Sequence, residues 1–190
     1  MGEESLSGLP ITSAEVVDFF LHKISPPISE EDARKIENLP HWETQKMTPQ
    51  TLSGVSFWNF DPSDPEHLGQ ILTDGGKSQK LGEVTERYRE NIAQLRNEFP
   101  EFVSKIEGIA ASLEKGIIMP PLLIVGGRRP NSLSLVDGNS RALALMINHI
   151  NHPGKEWVIE AIVGRKLYPW EPLLQKNFSP PLRSKIPLPS

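Results

Sequence analysis

Residues 137–141, Asp-Gly-Asn-Ser-Arg, combine the groups that an anion site needs within five positions. A short alternating apolar run, Leu133-Ser-Leu-Val136, stops at Asp137-Gly138, and a helical apolar run, Ala142-Leu-Ala-Leu-Met-Ile147, begins soon after. Strand, tight polar turn and helix start leave several backbone N–H groups without helical partners, at the positive end of the helix dipole. Arg141 falls in the first helical turn, where a guanidinium can grip a phosphate with two parallel hydrogen bonds. The spacing predicts a nucleotide-phosphate site at 136–141. An alternative account of the same residues is a plain turn, with Asn139 or Ser140 capping the helix and Arg141 in solvent.

Other chemistry-bearing residues form weaker patterns. Asp74-Gly-Gly-Lys-Ser78 imitates the end of a phosphate-binding loop, but position 71, where that loop's first glycine belongs, is Ile71. His149 and His152 end a helical run with no acidic third ligand nearby in sequence, and a helix C-terminus suits His for dipole reasons alone. Glu43 is a candidate general base on condition that its segment returns to the 137–141 turn. Arg128 and Arg129, between two strand signals, are candidate DNA-phosphate contacts at a hairpin tip.

Elements must position these groups. Thr12-Ser-Ala-Glu15 has the capping-box pattern and opens a helix carrying Val16, Val17, Phe19, Phe20 and Ile24, ended by Pro26-Pro27. A second helix is expected from Ser29 to about Leu39. Thr48-Pro49 opens a helical turn, Val55–Phe60 alternates like a strand, and 61–65 is a loop. Leu81–Phe99 predicts a long helix with an apolar stripe of Val84, Tyr88, Ile92 and Leu95. Another helix runs from about Glu101 to Lys115 and stops at Gly116. Ile117–Val125 predicts a buried strand with its prolines near the start, 126–131 a turn, Ser132–Val136 a returning strand and Trp157–Val163 a last strand. The helix between them covers about Ser140–Ile150, and Ala142 and Ala144 let it pack close to the sheet. Residues 1–11 read as an arm, and Tyr168–Ser190, with six prolines, as a tail.

The fold class expected is α/β (α+β type): a small mixed sheet from 117–163 with packed helices. Residues 1–80 are expected as an N-terminal helical extension, 81–167 as the sheet domain and 168–190 as the Pro-rich tail. The 190 residues contain no cysteine, which excludes disulfides, thiolate metal sites and cysteine nucleophiles and is consistent with a cytoplasmic location. No apolar run approaches a membrane span, and acidic Met1–Ser5 does not resemble a secretory signal. Residues 1–127 carry 11 Lys+Arg against 20 Asp+Glu, whereas 128–190 carry 9 against 4. The overall charge of −4 therefore conceals a basic final third that favours an anionic ligand near the turn.

Three segments together, Ala111-Ser-Leu-Glu-Lys-Gly-Ile117, Pro121-Leu-Leu-Ile-Val125 and Leu135-Val-Asp-Gly-Asn-Ser-Arg-Ala-Leu-Ala144, resemble the ParB/sulfiredoxin superfamily. The likeness covers about 101–163. It implies that Gly138, Asn139, Ser140 and Arg141 contact nucleotide phosphate, and that Asp137 orients Arg141 or water near Mg²⁺. Departures narrow the branch. Asn139 stands where sulfiredoxins have cysteine; the turn lacks the glutamate and second arginine of partition ParB proteins and the histidines of the free-serine-kinase branch. The chain is most similar to the plasmid fertility-inhibition (oncogenic-suppression) group. That likeness implies ATP binding and hydrolysis, with Asp137 and Arg141 as catalytic residues and Mg²⁺ on Asp137. It further implies Mg²⁺-dependent DNase activity and suppression of T-DNA or plasmid transfer through a type IV secretion system. The expected location is the bacterial cytoplasm, with peripheral association with the inner-membrane secretion machinery. The rival expectations are a non-catalytic inhibitor or adaptor that binds a coupling protein or relaxase, and a small-molecule kinase.

Overall fold

The computed structural model describes residues 12–23, 36, 39, 41–57, 66–73, 79–126 and 133–165. The expected arm at 1–11, most of the helix expected at 29–39, the loop at 61–65, the 74–78 turn, the hairpin tip at 127–131 and the tail at 168–190 lie outside the described residues.

The continuous apolar runs Leu122–Ile124 and Ala161–Val163 are buried on both faces and form the centre of a sheet. Six strands are described: β1 His41–Met47, β2 Ser56–Phe57, β3 Gln79–Lys80, β4 Leu122–Gly126, β5 Leu133–Asp137 and β6 Ile159–Arg165. They lie in the order β1-β6-β4-β5-β2-β3. The sheet is mixed: β1–β6, β4–β5 and β2–β3 are antiparallel, whereas β4–β6 and β2–β5 are parallel. Around it pack helices α1 Ser13–Asp18, α2 Pro49–Ser53, α3 Glu66–Leu72, α4 Leu81–Glu90, α5 Ile92–Glu98, α6 Pro100–Glu114 and α7 Asn139–Asn151. This is the expected mixed α/β architecture.

Neighbouring strand residues point to opposite faces, and the apolar clusters divide accordingly. Leu122, Ile124, Leu135, Ala161 and Val163 face the larger core beneath α4–α7. Leu123 and Ile162 face a smaller core closed by Val16 and Phe20, together with Ile36, Leu39 and Trp42. Helix α1 begins with the expected capping box: Thr12 Oγ1 accepts from the Glu15 N–H, and the Glu15 carboxylate accepts from the Thr12 N–H at 2.9 Å. The bonds that this carboxylate accepts from the Thr12 N–H and from the Thr12 hydroxyl, the latter at 2.8 Å, hold the Glu15 carboxyl below its ordinary pKa. The helix continues as a π turn over Phe19–Lys23. Ser13 ties it to β1 by donating to the Leu39 carbonyl at 2.8 Å and accepting from Trp42 Nε1 at 3.1 Å. The Trp42 ring lies so close to Gly164 that a Cβ there would come within 2.6 Å of it.

Several expectations are corrected. Residues 1–80 are not a purely helical extension, and the sheet is not confined to 117–163. β1, β2 and β3 come from the N-terminal half, and β1 pairs with all seven residues of β6. The strand expected over Val55–Phe60 is described only at Ser56–Phe57. The long helix expected over Leu81–Phe99 bends at Asn91, whose side chain donates to the Arg87 carbonyl and competes with the regular ladder. The strand expected from Ile117 begins at Leu122. Pro120 and Pro121 cannot donate to a ladder, and Ile117 and Ile118 are left exposed. The last strand begins two residues later than expected, at Ile159.

Helix α7 occupies the centre of the larger core. Its residues Ala142–Met146 are all buried, which requires apolar neighbours on every side. The small Ala142 and Ala144, both fully buried, permit that close approach.

Candidate functional site

The turn that joins β5 to α7 is built by a bulge and a glycine. Across β4–β5 the register steps from Ile124 opposite Leu135 to Leu123 opposite Asp137, so Val136 is an extra residue on β5. Such a bulge bends the strand and re-aims the residues that follow. Gly138 then takes φ 93° and ψ 21°, the left-handed conformation that L side chains rarely adopt. Space excludes a side chain as well: a Cβ on Gly138 would lie 2.5 Å from Leu122 Cδ2 and 2.9 Å from Arg141 Nη2. Glycine is thus required twice over at this position.

Gly138 is also the N-cap of α7, and no side chain caps the helix. The expectation that Asn139 or Ser140 would serve as cap is corrected: both lie inside the first turn. The left-handed cap glycine leaves the helix without the side-chain oxygen that usually takes the first N–H groups.

Arg141 does not extend into solvent. Its guanidinium folds back over Gly138, with Nη2 donating to Asp137 Oδ2 at 2.6 Å and to the Pro121 carbonyl at 3.3 Å. The Arg141 side chain is 14% exposed and that of Asp137 25%. Arg141 Nε and Asn139 Oδ1 are buried and have no hydrogen-bond partner among the described residues. A buried polar atom left unpaired costs about 1–3 kcal/mol. The turn therefore holds one satisfied ion pair beside two unsatisfied polar atoms, all within reach of an uncapped helix start.

The five residues Asp137, Gly138, Asn139, Ser140 and Arg141 are thus gathered at one end of the sheet. Pro121 and Leu122 join them; nothing in the sequence links these two to the turn, because the β4–β5 pairing brings them there. Glu43 does not reach it. It lies on β1, three strands from β5 and so about 14 Å away. Its Oε1 accepts from Gln45 at 2.6 Å and pairs with Arg165 at 3.2 Å. His152 instead pairs with Glu114 at 3.0 Å. Among the described residues no group of three His, Asp or Glu side chains is arranged to hold a metal. Arg128 and Arg129 lie outside the described residues.

A concavity opens at the other end of α7, between α4–α5, α6 and α7, with a volume of about 380 Å³. No helix of the described residues is long and apolar enough to cross a membrane. Comparison of the chain with protein-family models, with curated proteins and with solved structures finds no match in any of the three.

Proposed function

We propose that the 137–141 turn binds the phosphates of Mg²⁺-ATP, and that the protein hydrolyses it in suppressing T-DNA or plasmid transfer through a type IV secretion system. The observation that carries the phosphate reading is the uncapped, glycine-started N-terminus of α7 beside the partnerless Nε of Arg141. Backbone N–H groups at such a terminus are oriented donors, and they cost no reorganisation when charge develops on a phosphoryl group. Gly138 lets the phosphate approach the backbone, and Arg141 and Ser140 supply side-chain donors. The resemblance of 101–163 to the ParB/sulfiredoxin superfamily supports the nucleotide, and its fertility-inhibition branch supports the biological role.

The Asp137–Arg141 pair gives the site a built-in condition. An anion alone must compete with Asp137 for the guanidinium, and Asp137 would then be left as an unpaired, half-buried charge. With one carboxylate available, Mg²⁺ would be held by Asp137 together with phosphate oxygens, a donor set that suits this ion. The metal would neutralise phosphate charge and position water there. Anion and cation are therefore expected to bind together.

Steady-state ATP hydrolysis by the purified chain, with Arg141→Ala beside it, tests this reading. A loss of about 100-fold is expected on removing one such transition-state donor. Equal rates, or no hydrolysis by either protein, would remove the catalytic role. Incubation with single- and double-stranded DNA, with and without Mg²⁺, tests the nuclease activity; intact DNA throughout would eliminate it. The adaptor reading, binding a coupling protein or relaxase without catalysis, is favoured by one observation: Asp137 already neutralises Arg141. It predicts inhibition of transfer that survives Arg141→Ala.

A further inference from the structure

We propose that the cleft between α4–α5, α6 and α7 binds an uncharged small molecule with a planar amide or lactam edge. This site is separate from the turn. Ile147, Asn148 and Asn151 line it from the C-terminal half of α7, whereas Arg141 lies in the first turn. Between Arg141 and Asn148 the helix rises about 10 Å. Failure of ATP hydrolysis would leave this proposal standing, and the converse holds too.

The cleft has the size and lining of a ligand pocket. About 380 Å³ lies in the range that small-molecule sites occupy. Ile92, Ile106, Ala110 and Ile147 supply apolar walls. The alanines on α6 make the hollow, since a larger side chain at position 110 would fill it.

Two buried polar side chains set the ligand's chemistry. Tyr88, 4% exposed, lines the cleft, and its phenol carries a hydroxyl that can donate a hydrogen bond. Asn148, 1% exposed, donates from Nδ2 to the Ala110 carbonyl at 2.8 Å. That bond engages the donor end of the amide and fixes its orientation, and the other end, Oδ1, is an acceptor. The cleft therefore presents a phenolic donor and an amide acceptor against aliphatic walls. A lactam satisfies both, its C=O accepting from Tyr88 and its N–H donating to Asn148.

The charged residues at the rim argue for a neutral ligand. Arg89 pairs with Glu86 at 2.9 Å, Arg96 with Glu107 at 2.7 Å and Glu114 with His152 at 3.0 Å. An ionic ligand would have to displace one of these partners. The Tyr88 phenol stays protonated across the physiological range, its pKa pushed up to about 12 by burial and by Glu107. It is therefore available as a donor.

The test uses the ¹⁵N-labelled full chain titrated with 2-quinolone, with quinoline and 1-naphthoate as matched probes. Quinoline keeps the bicyclic shape without the lactam N–H and C=O, and 1-naphthoate adds a negative charge. Saturable amide shifts clustered at residues 106–111 and 147–151 are expected for 2-quinolone, with the other two probes at least fivefold weaker. Tyr88→Phe should weaken 2-quinolone about fivefold, the value of one net hydrogen bond. Ala110→Leu should abolish binding; if it fails to fold, Tyr88→Phe still decides. Absence of saturable shifts at millimolar probe, as for a cleft that holds only water, would overturn the proposal. So would equal or tighter binding of either matched probe, unchanged affinity in Tyr88→Phe, or unchanged affinity in a folded Ala110→Leu.

Discussion

At its N-terminus α7 leaves Gly138 in a left-handed conformation, with an ion pair folded over it and two polar atoms unsatisfied. Ten residues beyond that glycine, Asn148 is held by one short bond to α6 and faces a cleft whose rim charges are paired. One end concentrates a buried ion pair and unsatisfied polar atoms around a glycine turn; the other has its rim charges paired around a hollow. The same buried helix serves both because Ala142–Met146 anchor its middle in the core. Rigid packing of the centre lets each end keep a geometry that its own local interactions would not hold. Disturbing one end should therefore register there first.

The largest effect should come from Gly138→Ala. The left-handed backbone costs an alanine about 1–2 kcal/mol, and the close approach to Leu122 adds an overpacking penalty of similar size. A total of about 3 kcal/mol is expected by chemical denaturation. Gly116 supplies the control: its φ is 74°, but nothing lies within 4 Å of an added Cβ. Gly116→Ala should lose only about 1–2 kcal/mol. Equal losses at the two glycines would mean that backbone conformation alone, and not the crowding beneath Arg141, sets the demand for glycine at the turn.

Asn148→Ala comes next and probes the opposite end. It removes the side-chain bond to the Ala110 carbonyl, which keeps its helical donor within α6, for a loss of about 1 kcal/mol by denaturant titration. A loss below about 0.5 kcal/mol would show that α6 and α7 are held by apolar packing alone. The cleft would then lose the fixed amide on which its selectivity rests.

How much of each end could be read from the chain follows from the range of the interactions involved. The turn was legible because Asp137-Gly138, the preceding alternation and the following helical run are all local signals. The direction of Arg141 was legible in part: its 2.6 Å pair with Asp137 lies within the turn, whereas its bond to the Pro121 carbonyl comes from twenty residues earlier. β1 escaped for a related reason. His41–Met47 sends Trp42 into one core and Met47 into the other, with polar residues between them, so no one-faced alternation appears. The seven-residue ladder with β6 makes it a strand. The cleft was invisible as well. Tyr88 reads as one more member of the Val84–Leu95 stripe, and only helix packing brings it to the same hollow as Asn148.

The gentlest probe of the comparison is the titration of Tyr88, which alters no atom of the cleft. Burial raises its pKa to about 12, with Glu107 adding to the rise and Arg96 opposing it. The folded value lies above the unfolded value of about 10, so folding favours the neutral phenol. The resulting contribution to stability is fully present below pH 10 and is lost as pH rises through about 12. The chain has two tyrosines, and Tyr168→Phe leaves Tyr88 alone to report. Phenolate absorbance, read immediately after a pH jump and before unfolding, should then show a midpoint near 12. Glu107→Gln should lower that midpoint by removing the like charge. A midpoint near 10 that ignores Glu107→Gln would mean that the hydroxyl is fully hydrated. The C-terminal end of α7 would then be an open surface, and the contrast with the enclosed, charged turn would fail.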